Sequence, residues 1–201
     1  MKKFLFSDLY RNTKVIGFDL DGTLYDEFDF IKQVYEEIIV RLNPTFEISS
    51  HLLNFMLERW LEKGSSYPNI FKEAQRRFGL KQDFENFSLS IFRNFFPQLK
   101  LSERVKFVLN KIKEDKKETF LLTDGKEALQ YRKIQALGLE VYFQTIIVTE
   151  NIPKPNIKNS EKILKTVLWD VNEIVYIGDR DIDKEFAVKC GFHFIPQNNL
   201  I

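Results

Sequence analysis

Four short stretches of this chain carry residue types and spacings that could do chemistry. They are Asp19-Leu20-Asp21-Gly22, Thr123-Asp124-Gly125, Lys154 between two prolines, and Gly178-Asp179-Arg180-Asp181 with Asp183 two further on. In the first, Val15, Ile16 and Phe18 form an apolar run of the kind that suits a covered strand. Residues two apart on a strand share a face, so Asp19 and Asp21 look together into whatever lies beyond its C-terminal end. Two carboxylates so close repel unless a cation or a proton intervenes. The spacing therefore asks for a metal ion or for acid/base work. A bare Asp-Gly pair would also serve a solvated turn, with Gly22 tolerating the backbone such a turn needs.

The other three stretches each follow an apolar run. TFLLT at 119–123, TIIVT at 145–149 and EIVYIG at 173–178 read as strands, and His193 begins a last short one. Helical spacing lies between them. Ser102 caps a helix with Val105, Val108, Leu109 and Ile112 inward, and helices are expected over 126–137, 160–168 and 181–190, with Gly138 and Gly191 as stops. Strands separated by helices imply a parallel sheet with right-handed crossovers.

Between the first strand and this alternating part, the chain reads as helix only. The expected helices run over 28–42, 49–63, 68–78 and 83–95, broken by Asn43-Pro44, Gly64, Gly79 and Pro97. The expected architecture is α/β: a Rossmann-like parallel sheet core flanked by helices, with an all-helical cap inserted after the first strand. The core takes 1–25 and 98–201, and the cap takes 26–97. Residues 1–13 precede the first strand as an extension of short helical character.

Composition narrows the class. At 201 residues and 44% hydrophobic, the chain can build a full core. Thirty basic and 29 acidic residues leave a net charge of +1, so no global field points to nucleic acid. One cysteine, Cys190, excludes an intrachain disulfide and suits a reducing compartment. The apolar start is interrupted by Ser7 and Asp8, too soon for a signal peptide, and no segment reaches membrane-spanning length. A cytoplasmic protein without a membrane partner, monomeric or a weak homodimer, is the expectation. Its 20 Phe read as core filling.

In an open parallel sheet, ligands bind outside the carboxyl ends of the strands. One edge then gathers Asp19, Asp21, Thr123, Asp124, Lys154, Asp179 and Asp183. In this order the motifs resemble those of the haloacid dehalogenase (HAD) superfamily: DLDGT at 19–23, LLTDG at 121–125, the lysine of PKP at 153–155, and GDRDID at 178–183. The likeness spans nearly the whole chain, and the helical insertion is similar to the C1 cap of subfamily I. Gln130, Lys133 and Leu137-Gly138-Leu139 are similar to the phosphatase and nucleotidase branches. After PKP, Asn156-Ile157-Lys158 departs from the Asp-Pro and aromatic of many relatives.

The resemblance implies an Mg²⁺-dependent phosphatase of a small phosphorylated metabolite such as a sugar phosphate or nucleotide, working through an aspartyl-phosphate. Asp19 would be the nucleophile and Asp21 the acid and base. Gly22, Thr123, Asp124 and Lys154 would hold the phosphoryl oxygens, the first and third through backbone N–H groups near them. Asp19, the Asp21 carbonyl, Asp179 and Asp183 would bind the metal, Asp183 directly or through water, or else Asp183 would orient Lys154. A phosphomutase would reuse the same residues. A dehalogenase in the strict sense would lack Asp21, and a receiver-like domain would lack the insertion.

Overall fold

The computed structural model of the protein describes residues 7–166 and 169–199, so the end expected for the 160–168 helix lies outside the described residues. The chain divides into two compact units, Met1–Asp26 with Leu99–Ile201, and Glu27–Gln98. In chain order the elements are α1 (Ser7–Asn12), β1 (Val15–Phe18), α2 (Glu27–Leu42), α3 (Phe46–Lys63), α4 (Ile70–Arg77), α5 (Phe84–Asn94) and α6 (Glu103–Glu114). They continue with β2 (Glu118–Thr123), α7 (Glu127–Leu137), β3 (Thr145–Val148), α8 (Lys158–Thr166), β4 (Ile174–Gly178), α9 (Asp181–Cys190) and β5 (His193–Pro196).

The first unit holds a five-stranded sheet in the order β3-β2-β1-β4-β5, every pairing parallel. The chain leaves β1 toward β2 and β3 on one side, then crosses back through α8 to β4 and β5 on the other. The order reverses beside β1, which opens a crevice past the carboxyl ends of β1 and β4. Register puts Phe18 level with both Leu121 and Ile177, so Asp19 and Gly178 emerge together.

The second unit is helical. α2 buries Phe30, Ile31, Val34, Tyr35 and Ile38 on one face, and α4 buries Ile70, Phe71 and Ala74. Edge-to-face pairs tie these helices together: Phe30 with Phe92 at 5.4 Å, Tyr35 with Phe71 at 5.8 Å, and Phe71 with Phe84 at 6.4 Å between centroids. Many of the phenylalanines are therefore core, as composition suggested. α3 begins at Phe46 rather than at 49, directly after Pro44-Thr45, and its first turn closes with the Ser49 N–H on Thr45 O at 2.9 Å. α8 begins at Lys158 rather than at 160, where the Asn156 side chain accepts from the Lys158 N–H at 3.0 Å. Among the described residues no helix is long and apolar enough to cross a membrane.

One glycine shapes the sheet. Gly17 pairs with Phe120 on one side and Tyr176 on the other. Strands two apart in a sheet lie about 9.6 Å from each other, yet the Phe120 and Tyr176 rings stack with centroids 5.9 Å apart. They lean together over the space a side chain at 17 would fill: a Cβ there would lie 2.0 Å from the Phe120 ring. Gly17→Ala is therefore expected to destabilise the protein by about 1–3 kcal/mol through overpacking. Thermal unfolding measures it, and adding Phe120→Leu should recover part of the loss. Full stability in the single variant would show that the rings can part freely.

Candidate active site

Every strand-end residue named from the sequence stands at the carboxyl edge of the sheet. Asp19 follows β1, is 1% exposed, and its backbone N–H bonds to Ile177 O at 2.9 Å. Lys154 comes from the loop after β3 and is fully buried at its side chain. Its ammonium reaches Asp19 Oδ1 at 2.6 Å, Asp183 Oδ1 at 2.5 Å and the Tyr176 hydroxyl at 3.2 Å. Tyr176 in turn donates to Leu122 O at 2.9 Å, so the stacked pair over Gly17 supports the lysine from below. Asp183, on the first turn of α9, also accepts from the Arg180 N–H at 3.1 Å.

Loop geometry explains how Lys154 is aimed. Asp124 Oδ1 accepts from the Lys154 N–H at 3.0 Å and from the Thr149 hydroxyl, which stitches the end of β2 to the loop after β3. Buried Asn159 donates to Ile152 O at 2.8 Å from the other side. The Asp124 side chain is thus engaged in holding the loop, and only its backbone N–H is left for the phosphate role expected of this position. Thr23 donates to Asp179 Oδ1 at 3.3 Å, and Gly22, at φ +74°, passes so close to Asp179 that a Cβ would meet its Oδ2 at 2.4 Å. Gly22 is glycine for both reasons.

The two front carboxylates have separate surroundings. Asp21 turns to Lys133 (2.8 Å), Gln130 (2.8 Å) and the Tyr25 hydroxyl. Burial alone would raise its pKa, but Lys133 with those hydrogen bonds holds it below its ordinary value. Asp19 behaves oppositely. Burial pushes its carboxyl up to about 7: Lys154 pulls it down, while Asp183 and Asp21 push it up again. Sequence reasoning gave Tyr25, Tyr176 and Thr149 no part in the site. Of these only Tyr176 left a trace, as a hydroxyl within an otherwise apolar buried strand.

Three carboxylates converge. Oxygens of Asp19, Asp179 and Asp183 all lie within 4.8 Å of one another, while the Asp21 carboxylate is not in that group. Asp19 Oδ2 is buried and has no hydrogen-bond partner. Three carboxylates whose oxygens gather so closely are the oxygen-only donor set that a hard divalent cation requires. The residues fit such an ion.

Comparison with known proteins agrees with this geometry. The sequence model described as haloacid dehalogenase-like hydrolase matches residues 16–196, from β1 to β5. The chain belongs to the haloacid dehalogenase-like hydrolase family. Among its relatives, the glyceraldehyde 3-phosphate phosphatase of Methanocaldococcus jannaschii is 27% identical over 189 residues, 86% of this chain and 78% of that one. The enzyme of the same name from Pyrococcus furiosus is 28% identical, over 85% of this chain and 74% of its own. A HAD-superfamily hydrolase of subfamily IA from Geobacter sulfurreducens has the same fold, with TM-score 0.70 at 18% identity over 92% of this chain and 87% of that one. So does a HAD hydrolase of Bacillus subtilis determined with bound magnesium, with TM-score 0.63 at 18% identity over 90% and 85%. In this family member, the motifs read from the sequence and the carboxyl edge of the sheet coincide.

Proposed function

We propose that the protein is an Mg²⁺-dependent phosphatase acting on a small phosphorylated metabolite, with Asp19 as nucleophile. The observation that carries this reading is the open Oδ2 of Asp19, on a carboxylate fixed through Oδ1 by buried Lys154. A nucleophile needs one atom held and one atom free. The relatives named glyceraldehyde 3-phosphate phosphatase support a short phosphorylated carbonyl or polyol as substrate. The helical unit Glu27–Gln98 would then be a cap that selects the leaving group. Two bases in it are already partnered: Arg59 pairs with Glu62 and Glu73, and Lys63 with Glu62.

The steps follow from the residues. Asp19 Oδ2 attacks phosphorus and the bond to the leaving oxygen breaks. Asp21 takes up a proton as the substrate binds and passes it to that oxygen, which completes the alcohol. Asp21, again a carboxylate, takes a proton from water as the water oxygen bonds to phosphorus. Inorganic phosphate leaves and Asp19 is regenerated. Lys154, the Thr123 hydroxyl and the N–H groups at Gly22 and Asp124 hold the phosphoryl oxygens. Asp19, Asp179, Asp183 and the Asp21 carbonyl would hold Mg²⁺, which offsets the negative charge of nucleophile and phosphate as they approach.

Two readouts test the metal. Hydrolysis of an aryl phosphate should need Mg²⁺, be lost in EDTA, and be poorly restored by larger Ca²⁺. Thermal unfolding gives the second. The raised pKa of Asp19 means that in EDTA its contribution to stability is present below pH 4 and is lost as pH rises toward 7. Added Mg²⁺ should raise the melting temperature more at pH 8 than at pH 5, since ligand protons compete with it. Equal activity in EDTA, or no pH dependence of the shift, would remove the metal from this site.

A further inference from the structure

Asp21 is held by a polar pair that the reaction scheme leaves without a role. Gln130 and Lys133 stand three residues apart on α7, on a helix that also buries Leu129, Ile134 and Leu137. They are 2% and 4% exposed. Burying an amide and an ammonium among apolar neighbours is costly unless each finds partners. Both find Asp21. Lys133 Nζ donates to Oδ1 and Gln130 Nε2 to Oδ2, each at 2.8 Å, with Tyr25 also donating to Oδ1.

The Gln130 orientation follows from these partners. The nitrogen and oxygen of an amide are alike in shape, so their assignment rests on what they face. Asp21 receives Lys133 and Tyr25 on one oxygen, and a carboxylate only accepts. The Gln130 atom facing Oδ2 must therefore be nitrogen. That nitrogen also lies 2.6 Å from the Thr123 hydroxyl oxygen. Its two N–H groups are thus divided between the ends of β1 and β2, and the amide has no freedom to turn.

The helix that carries the pair is itself anchored. Glu150 Oε2 accepts from the Glu127 N–H at 2.9 Å and Oε1 from Lys126 at 2.7 Å, which fixes the start of α7 to the segment after β3. Gly138, in the left-handed conformation, closes its end. Two donors on a fixed helix, aimed at the two oxygens of one carboxylate, set where that carboxylate sits. Proton transfer to a leaving oxygen needs the acid within hydrogen-bond reach, and small displacements are expensive.

We propose that Gln130 and Lys133 are positioning residues for proton transfer, holding the Asp21 carboxylate where it can serve the leaving oxygen. This rests on the reading of Asp21 as the acid/base group. Attack by Asp19 should not depend on them. Their loss should therefore be felt by esters whose leaving oxygen needs a proton, and little by esters whose leaving group departs as a stable anion.

The experiment compares kcat/KM, which reports steps up to phosphoenzyme formation, for glycerol 1-phosphate and for 2,4-dinitrophenyl phosphate at saturating Mg²⁺. The ratio of the two efficiencies cancels any general loss of folding or phosphate binding. It is measured for the full chain as wild type, Gln130→Met, Lys133→Met and Asp21→Asn. Asp21→Asn should lower the ratio by about a hundredfold or more, and each α7 variant by about tenfold. Met keeps the length and burial of either side chain, and if one variant does not fold the other carries the comparison. If Asp21→Asn lowers the ratio while both α7 variants keep it within about twofold of wild type, the positioning role is wrong and the reading of Asp21 stands. If Asp21→Asn itself leaves the ratio unchanged, the acid/base reading falls and the proposal falls with it.

Discussion

Asp19→Asn is expected to reduce turnover to less than about one part in 10⁴, with no acid-labile phosphoenzyme to trap, because the attacking atom is gone. The same variant should fold at least as well as wild type. Asn keeps an oxygen to accept from Lys154, which bonds Asp19 Oδ1 at 2.6 Å. It removes a charge that burial disfavours strongly enough to push the carboxyl up to about 7. In EDTA at pH 8, where wild-type Asp19 must be ionised, the melting temperature of the variant should exceed that of wild type. In excess Mg²⁺ the order should reverse, since the variant has lost a ligand. An inactive variant that was also unstable in EDTA would point to a structural Asp19. An active one, above about 1% of wild type, would exclude it as nucleophile.

The parts of this site that could be read from the sequence are those fixed by chain direction. β1, β2 and β4 are runs of apolar residues that end abruptly in Asp19, Thr123-Asp124 and Asp179, and a parallel sheet brings all such ends to one edge. Register then does the rest, since Phe18 stands level with both Leu121 and Ile177. What the sequence did not disclose is which side chains serve one another. Asp124 was expected among the phosphate-binding positions, and nothing in its local pattern indicated that its carboxylate would hold the Lys154 loop through Thr149. Gln130 and Lys133 stood out only through the family resemblance. Their physical signal, two polar groups on an inward helix face, has meaning only once a carboxylate acceptor is known to lie opposite. Gly17 is similar: the sequence shows a glycine in a strand, and only the packed sheet shows two rings meeting over it. Pairwise service across elements is a tertiary fact, and one-dimensional periodicity carries little of it.

Lys154→Met should damage the site in two separable ways. The ammonium is entirely buried between Asp19 Oδ1 and Asp183 Oδ1. Burial works against its charge, yet Tyr176, Asp19, Asp183 and Asp124 together hold its pKa well above the ordinary lysine value, so it is charged throughout the working range. Removing one partner of a buried ionic cluster leaves the other charges uncompensated, which costs about 3–5 kcal/mol. Met fills the space of the lysine stem, so little of that loss is cavity. In EDTA the melting temperature should fall sharply, and Mg²⁺ should restore part of it by supplying positive charge to the same carboxylates. Activity should fall by about 10²–10³ even in saturating Mg²⁺, since a preorganised donor to the phosphoryl oxygens is gone. A second substitution separates charge from packing. Asp183→Asn removes one of the two stranded carboxylates, so the double variant Lys154→Met/Asp183→Asn should be more stable in EDTA than Lys154→Met alone, though no more active. Stability would then track the balance of buried charge and activity the presence of the ammonium. If the double variant were no more stable than the single one, the loss would come from packing around the loop after β3, and the ionic account of the Asp19–Lys154–Asp183 cluster would have to be abandoned.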